Sequence, residues 1–170
     1  MYWSGYSPST GAELWVSDGT SEGTSALSIN PGNKSSLFES MRYSFATTFV
    51  VNTQGLVVFH ADDGATGREP WVTDLTLDGT KRLADLDPGN VSSFYYAESP
   101  YAHVNEVVYF LSGDANLQTI DGVYATDGTP EGTMTVPDGT FADAVNLQEA
   151  LTGKGVAIME YQGWTYFCAS

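Results

Sequence analysis

The side chains in this chain that could do chemistry are mostly carboxylates. His60-Ala61-Asp62-Asp63-Gly64 sets an imidazole beside two acids, and Asp85-Leu86-Asp87 offers two more carboxylates further on. Oxygen-rich clusters of this kind suit a hard divalent cation such as calcium, which gathers about six to eight oxygen ligands. Neither segment completes the ligand spacing of a known calcium loop. Asp62, Asp63, Asp85 and Asp87 are therefore weak metal candidates, and calcium is the sole cofactor in question. Asp62-Asp63-Gly64 also falls where a bend between strands is expected, and a solvated turn is the simpler use of it. His103 has no Cys, Ser or acidic partner at a recognisable spacing and reads as a strand residue. GxSxG, HExxH, GxGxxG and the phosphate-cradling loop are absent, so no catalytic residue is assigned and the expectation is a non-enzymatic protein. Scattered carboxylates could still converge as a glycosidase pair, but nothing in the sequence selects one.

The most regular motif is Asp18-Gly19-Thr20 followed by Gly23-Thr24. It returns as Asp74-Leu75-Thr76 with Gly79-Thr80, and again as Asp127-Gly128-Thr129 with Gly132-Thr133. Its recurrence looks functional, yet turn chemistry accounts for it: Asp and Thr side chains cap nearby N–H groups, and Gly permits positive φ. An aromatic precedes each copy, Trp15, Trp71 and Tyr124, at steps of 56 and 53 residues. These residues read as core anchors between neighbouring sheets, with sugar stacking as the lesser alternative.

Around each anchor lies the same set of elements. Upstream is an alternating hairpin signal such as Phe49-Val50-Val51, the turn Asn52-Thr53-Gln54-Gly55, then Leu56-Val57-Val58-Phe59. Downstream, Asn30-Pro31-Gly32-Asn33 with Ser35-Ser36 matches Asp87-Pro88-Gly89-Asn90 with Ser92-Ser93, and the third copy has decayed to Val136-Pro137-Asp138-Gly139. One unit reads as four antiparallel strands, like residues 48–51, 56–61, 69–73 and 81–86, closed by a Pro-Gly segment that crosses to the next unit. A four-stranded meander recurring about every 50 residues is the signature of propeller blades. The expected organisation is all-β and propeller-like, a single repeat domain over 1–170 with units at roughly 1–45, 46–101 and 102–154, and with 155–170 beginning a further blade. Such an arc is incomplete, since propellers close with about four to eight blades. Its ends would invite self-association or a protein partner.

Two segments break the repeat. Phe94-Tyr95-Tyr96 and Tyr101 concentrate aromatics before a first strand and form a candidate contact segment. Residues 141–151 carry apolar side chains at helical spacing, and a short amphipathic helix is expected there. Asn33-Lys34-Ser35 and Asn90-Val91-Ser92 satisfy the glycosylation sequon at equivalent repeat positions.

Composition excludes several functions. Twenty-one acidic residues against six basic ones give a net charge of −15, with no Lys or Arg patch, so nucleic acid and anionic membranes are not expected partners. Cys168 stands alone, which rules out an intrachain disulfide and zinc-type spacing. No apolar run approaches the roughly 20 residues that span a bilayer, and no membrane insertion is expected. The residues after Met1 lack the regions of a signal peptide.

Glu13-Leu14-Trp15, Asp18-Gly19-Thr20 and Gly23-Thr24 together resemble the ELWxxDGTxxGT repeat of large, mainly bacterial, secreted or surface-associated proteins. The second copy has Pro70 for Leu and Leu75 for Gly, and the third has Gly122 and Tyr124 for Glu and Trp. The resemblance implies a β-propeller and an extracellular, periplasmic or organelle-lumen location; it implies no catalytic constellation. The reading is a binding or scaffolding module that contributes protein contact surfaces to a larger or oligomeric assembly. A carbohydrate-binding or carbohydrate-active propeller, calcium-assisted, is the alternative.

Overall fold

The computed structural model describes residues 1–38, 50–52, 54–94, 101–104, 106–113, 120–136, 157–161 and 164–168. Among these the chain is all-β, without helix, and its antiparallel sheets stay open, none closing into a barrel. The helix expected over 141–151 lies outside the described residues.

The first sheet has three strands, β1 (Tyr2–Ser7), β2 (Gly11–Val16) and β3 (Ser25–Leu27). The second has four, β4 (Val50–Val51), β5 (Val57–Asp62), β6 (Arg68–Thr73) and β7 (Lys81–Arg82). The third repeats this order with β8 (Tyr101–Val104), β9 (Val107–Gly113), β10 (Ile120–Thr126) and β11 (Met134–Thr135). A hairpin of β12 (Ala157–Tyr161) and β13 (Trp164–Cys168) follows. Each is a meander of sequence neighbours, as short connections require.

Register confirms the equivalence of the copies. Trp15 opposes Trp3 on β1, Trp71 opposes Phe59 on β5, and Tyr124 opposes Phe110 on β9. The first sheet thus begins at the strand that is second in the other two, and β1 is its edge.

Side chains alternate across a strand, so a strand apolar on both faces must be covered twice. β5 is such a strand, buried from Val57 to Ala61. Val57, Phe59 and Ala61 pack on Ala12, Leu14, Leu27 and Leu37, which belong to the first sheet and the connector behind it. Val58 on the opposite face joins Val72 and Leu83 in a cluster with Val108 of the third sheet. Three sheets therefore stack face to face with the second in the middle.

The fourth strands are shorter than expected, β7 ending at Arg82 instead of running to residue 86. Leu83 N–H still bonds to Pro70 O at 2.8 Å, but the N–H of Leu86 is taken by the side chain of Glu69 at 2.9 Å. A carboxylate replaces the backbone partner and turns the chain off the ladder.

The DGTxxGT loops are closed hydrogen-bond networks, identical in the three copies. In the third, Asp127 Oδ1 accepts from Thr129 N–H and Oγ1–H at 2.8 and 2.7 Å, and Thr129 Oγ1 accepts from Gly132 N–H at 3.0 Å. Thr126 and Thr133 hydroxyls close the base at 2.8 Å. A Cβ on Gly132 would lie 2.2 Å from the Asp127 carboxylate, which explains the glycine there. The hydrogen bonds from Thr129 hold the Asp127 carboxyl below its ordinary range. Asp127→Ala should cost about 1–2 kcal/mol, the usual loss when a cap leaves N–H groups without an acceptor, and urea unfolding at pH 7 measures it.

Candidate functional site

The carboxylates near His60 are committed to local structure. Asp62 Oδ1 caps Gly64 N–H at 2.7 Å, and Asp63 Oδ1 accepts from the N–H groups of Ala65 and Thr66, both at 2.9 Å, and from the Thr66 hydroxyl at 3.0 Å. Arg82 then stands between Asp63 and Asp85, 3.9 and 4.0 Å from their oxygens. A guanidinium occupies the position where a cation would have to bind. Asp87 lies exposed on the connector. Among the described residues no group of three or more His, Cys, Asp or Glu side chains has metal-binding geometry.

His60 does not belong to that turn. It points from β5 into the packing with the third sheet and is buried, its Nδ1 3.2 Å from the Tyr101 hydroxyl. Its ring stacks on Phe94 at 5.0 Å and on Tyr101 at 5.9 Å, and Phe94 in turn meets Phe110 at 5.8 Å. Burial first, and then the nearby Arg68 charge, lowers the imidazole to a pKa of about 3, so it stays neutral and is a poor base. The Arg68 guanidinium lies 3.7 Å over the Phe38 ring and reaches Ser36 O at 3.4 Å.

These contacts remove Phe94 from the candidate contact segment. Phe94 is fully buried, and the partly buried Tyr101 packs its ring between His60 and Phe110. Tyr95 and Tyr96 lie outside the described residues.

Two acids that the sequence reading passed over are the most unusual titratable groups. Glu13 and Glu69, at the same repeat position, are completely buried. Glu69 Oε1 accepts from Ser93 Oγ at 2.7 Å, and Glu13 accepts from Ser36 Oγ and from Ile29 N–H. The preceding serines accept in the other direction, Ser35 Oγ from Ala12 N–H and Ser92 Oγ from Arg68 N–H, each at 3.0 Å. Each pair clasps the outgoing connector onto the strand that carries the glutamate, β2 in the first sheet and β6 in the second, and the serines of both sequons are spent in it. Burial, outweighing these hydrogen bonds, pushes both carboxyls up to about 7. A signal was available: the third copy has Gly122 in place of Glu and lacks the paired serines, so both halves of the clasp disappear together.

The first sheet presents an outward face. Met1, Trp3 and Trp15 share the side of the first sheet turned away from the second, and Trp3 and Trp15 stack with ring centroids 6.2 Å apart. Trp15 lies over Gly5, where a Cβ would meet its ring at 2.5 Å. Met1 is 78% and Trp3 37% exposed, whereas the equivalent Val57 and Phe59 are 1% and 0%.

No family model, no curated protein and no solved structure matches this chain. The assignment therefore rests on the residues above. No helix among the described residues is long and apolar enough to cross a membrane.

Proposed function

We propose that this chain is a non-enzymatic binding or scaffolding module of the β-propeller type, which contributes sheet faces to a larger or oligomeric assembly. The observation that carries the reading is the burial of the second sheet on both faces through the same repeat positions. A packing rule that each sheet applies to its neighbour has no internal stop, and it favours continuation of the stack as propeller blades. The motifs that looked chemical support this use: the DGTxxGT loops, the acids at 62–63 and His60 all serve turns or packing. Resemblance to the ELWxxDGTxxGT repeat agrees with a propeller and with an extracellular, periplasmic or organelle-lumen setting, where strong acidity aids solubility.

Electron microscopy of the purified chain tests the architecture, with curved arcs or rings as the expected class averages. A straight stack without curvature would rule out the propeller. A glycan array probed with and without a calcium chelator tests the function; chelator-sensitive binding to any sugar would replace this reading by a lectin-like one.

A further inference from the structure

We infer that the outward face of the first sheet, centred on Trp3 and Trp15, is the docking surface for a β-sheet of the same repeat supplied by a second copy of this chain. The inference rests on the assembly reading above and names the surface and its occupant. In the second sheet the positions equivalent to Met1, Trp3 and Trp15 are Val57, Phe59 and Trp71, and the first sheet covers them with Ala12, Leu14 and Leu27. In the third sheet the equivalent Val108 packs on Val58, Val72 and Leu83 of the second, and Phe110 and Tyr124, its face-mates by strand alternation, stack on each other at 5.6 Å. The same aromatic face is thus received twice within the chain by the aliphatic face of a preceding repeat sheet. On the first sheet it is presented and left open.

The DGTxxGT loops record the same preference independently. At the residue after the loop Asp, Leu75 packs on the cluster between the first two sheets. A Cβ on Gly128 would sit 3.0 Å from Leu56 and 3.3 Å from Asn52 of the second sheet, and Asn52 Nδ2 donates to Asp127 O at 3.4 Å. Each of these loops leans on the sheet before it. The corresponding Gly19 has nothing within 4 Å of where its Cβ would be. Loop and face are therefore both open on one side, and both have the shape that a preceding sheet of this repeat fills elsewhere in the molecule.

The pairing is head to tail, because both internal interfaces join unlike faces. With a net charge of −15 on each copy, association tightens as salt screens the repulsion, the opposite of a contact made by ion pairs.

Sedimentation velocity of the full chain over a range of protein and salt concentrations tests the proposal. Trp3→Glu, and separately Ala26→Lys on the neighbouring strand of the same face, are expected to weaken association about 30-fold or more, the effect of losing a central aromatic anchor. Leu77→Glu, at an exposed apolar residue in the second DGTxxGT loop, should leave it unchanged. Thermal unfolding identifies any variant that has simply failed to fold, and acrylamide quenching of the tryptophan fluorescence of the unmutated chain should fall on association. Association that survives both face variants would overturn this surface while leaving the assembly reading in place. A chain that stays monomeric at every concentration and salt would remove both.

Discussion

Replacing Gly67 by alanine is expected to destabilise the fold by about 3 kcal/mol, lowering the unfolding midpoint by roughly 10 °C in a chain of this size. Gly67 sits at φ +74°, a left-handed conformation that costs a side-chain-bearing residue on the order of 1–2 kcal/mol. Its added Cβ would also lie 2.5 Å from Val91 O and 2.9 Å from Ser92 N. These are backbone atoms of the connector, and they cannot retreat freely. Ser93 N–H bonds to Arg68 O at 2.9 Å and Ser92 Oγ accepts from Arg68 N–H, so moving the connector breaks bonds worth about 1 kcal/mol each. Gly32→Ala is the matched control, with φ +82° and nothing within 4 Å of its Cβ. It should cost about 1 kcal/mol through backbone strain alone. Equal losses for the two variants, measured by thermal unfolding, would show that the close approach of the connector contributes nothing.

The second large effect is on pH dependence. In the folded chain Glu13 and Glu69 hold their protons up to about 7, whereas in the unfolded chain they release them near the ordinary value of 4.5. Between these pH values the native state binds more protons, so stability falls as pH rises from 4.5 to 7. Below 4.5 both states are protonated and neither carboxyl costs anything. Above 7 the full cost is present, on the order of 2–3 kcal/mol for each acid. Asp18, Asp74 and Asp127 act in the opposite sense. Their hydrogen bonds to Thr20, Thr76 and Thr129 lower them, so the stability they add is present above 3.8 and is lost as pH falls through their folded values. Maximum stability should therefore lie near pH 4–5. Urea unfolding at pH 4.5 and pH 8 checks this, together with the double variant Glu13→Gln and Glu69→Gln. The double variant should be more stable than the unmutated chain at pH 8 and nearly equal to it at pH 4.5. A parallel pH profile for the two proteins would mean that the buried acids are not the cause.

Much of the architecture was legible because turns and alternation are local. Asp, Gly and Thr at fixed offsets announce a loop wherever they fall, and Val57 to Asp62 flanked by turn residues reads as a strand without knowledge of its neighbours. Burial is not local, and it accounts for the misreadings of side chains. Phe94 looked like a surface residue because it flanks a break in the repeat, yet its ring is buried between His60 and Phe110. His60 stood beside Asp62 and Asp63 as a conceivable metal cluster, but its ring is buried among aromatics while the two acids cap the bend. The role of Glu13 and Glu69 was hidden for a related reason. A charged residue inside a strand ordinarily marks the solvent side, and only the serines returning over the sheet show that these two are covered.

Because each Glu–Ser clasp ties a sheet to the connector that leads into the next, opening one sheet strains the entry to its neighbour. The first, second and third sheets should consequently exchange their amide hydrogens as one cooperative unit. Gly122, at the clasp position of the third sheet, carries no carboxylate to hold the connector that leads toward β12 and β13. Opening should therefore begin at that hairpin and spread inward, so that the chain frays from one end under heat or load while its first two sheets still hold together.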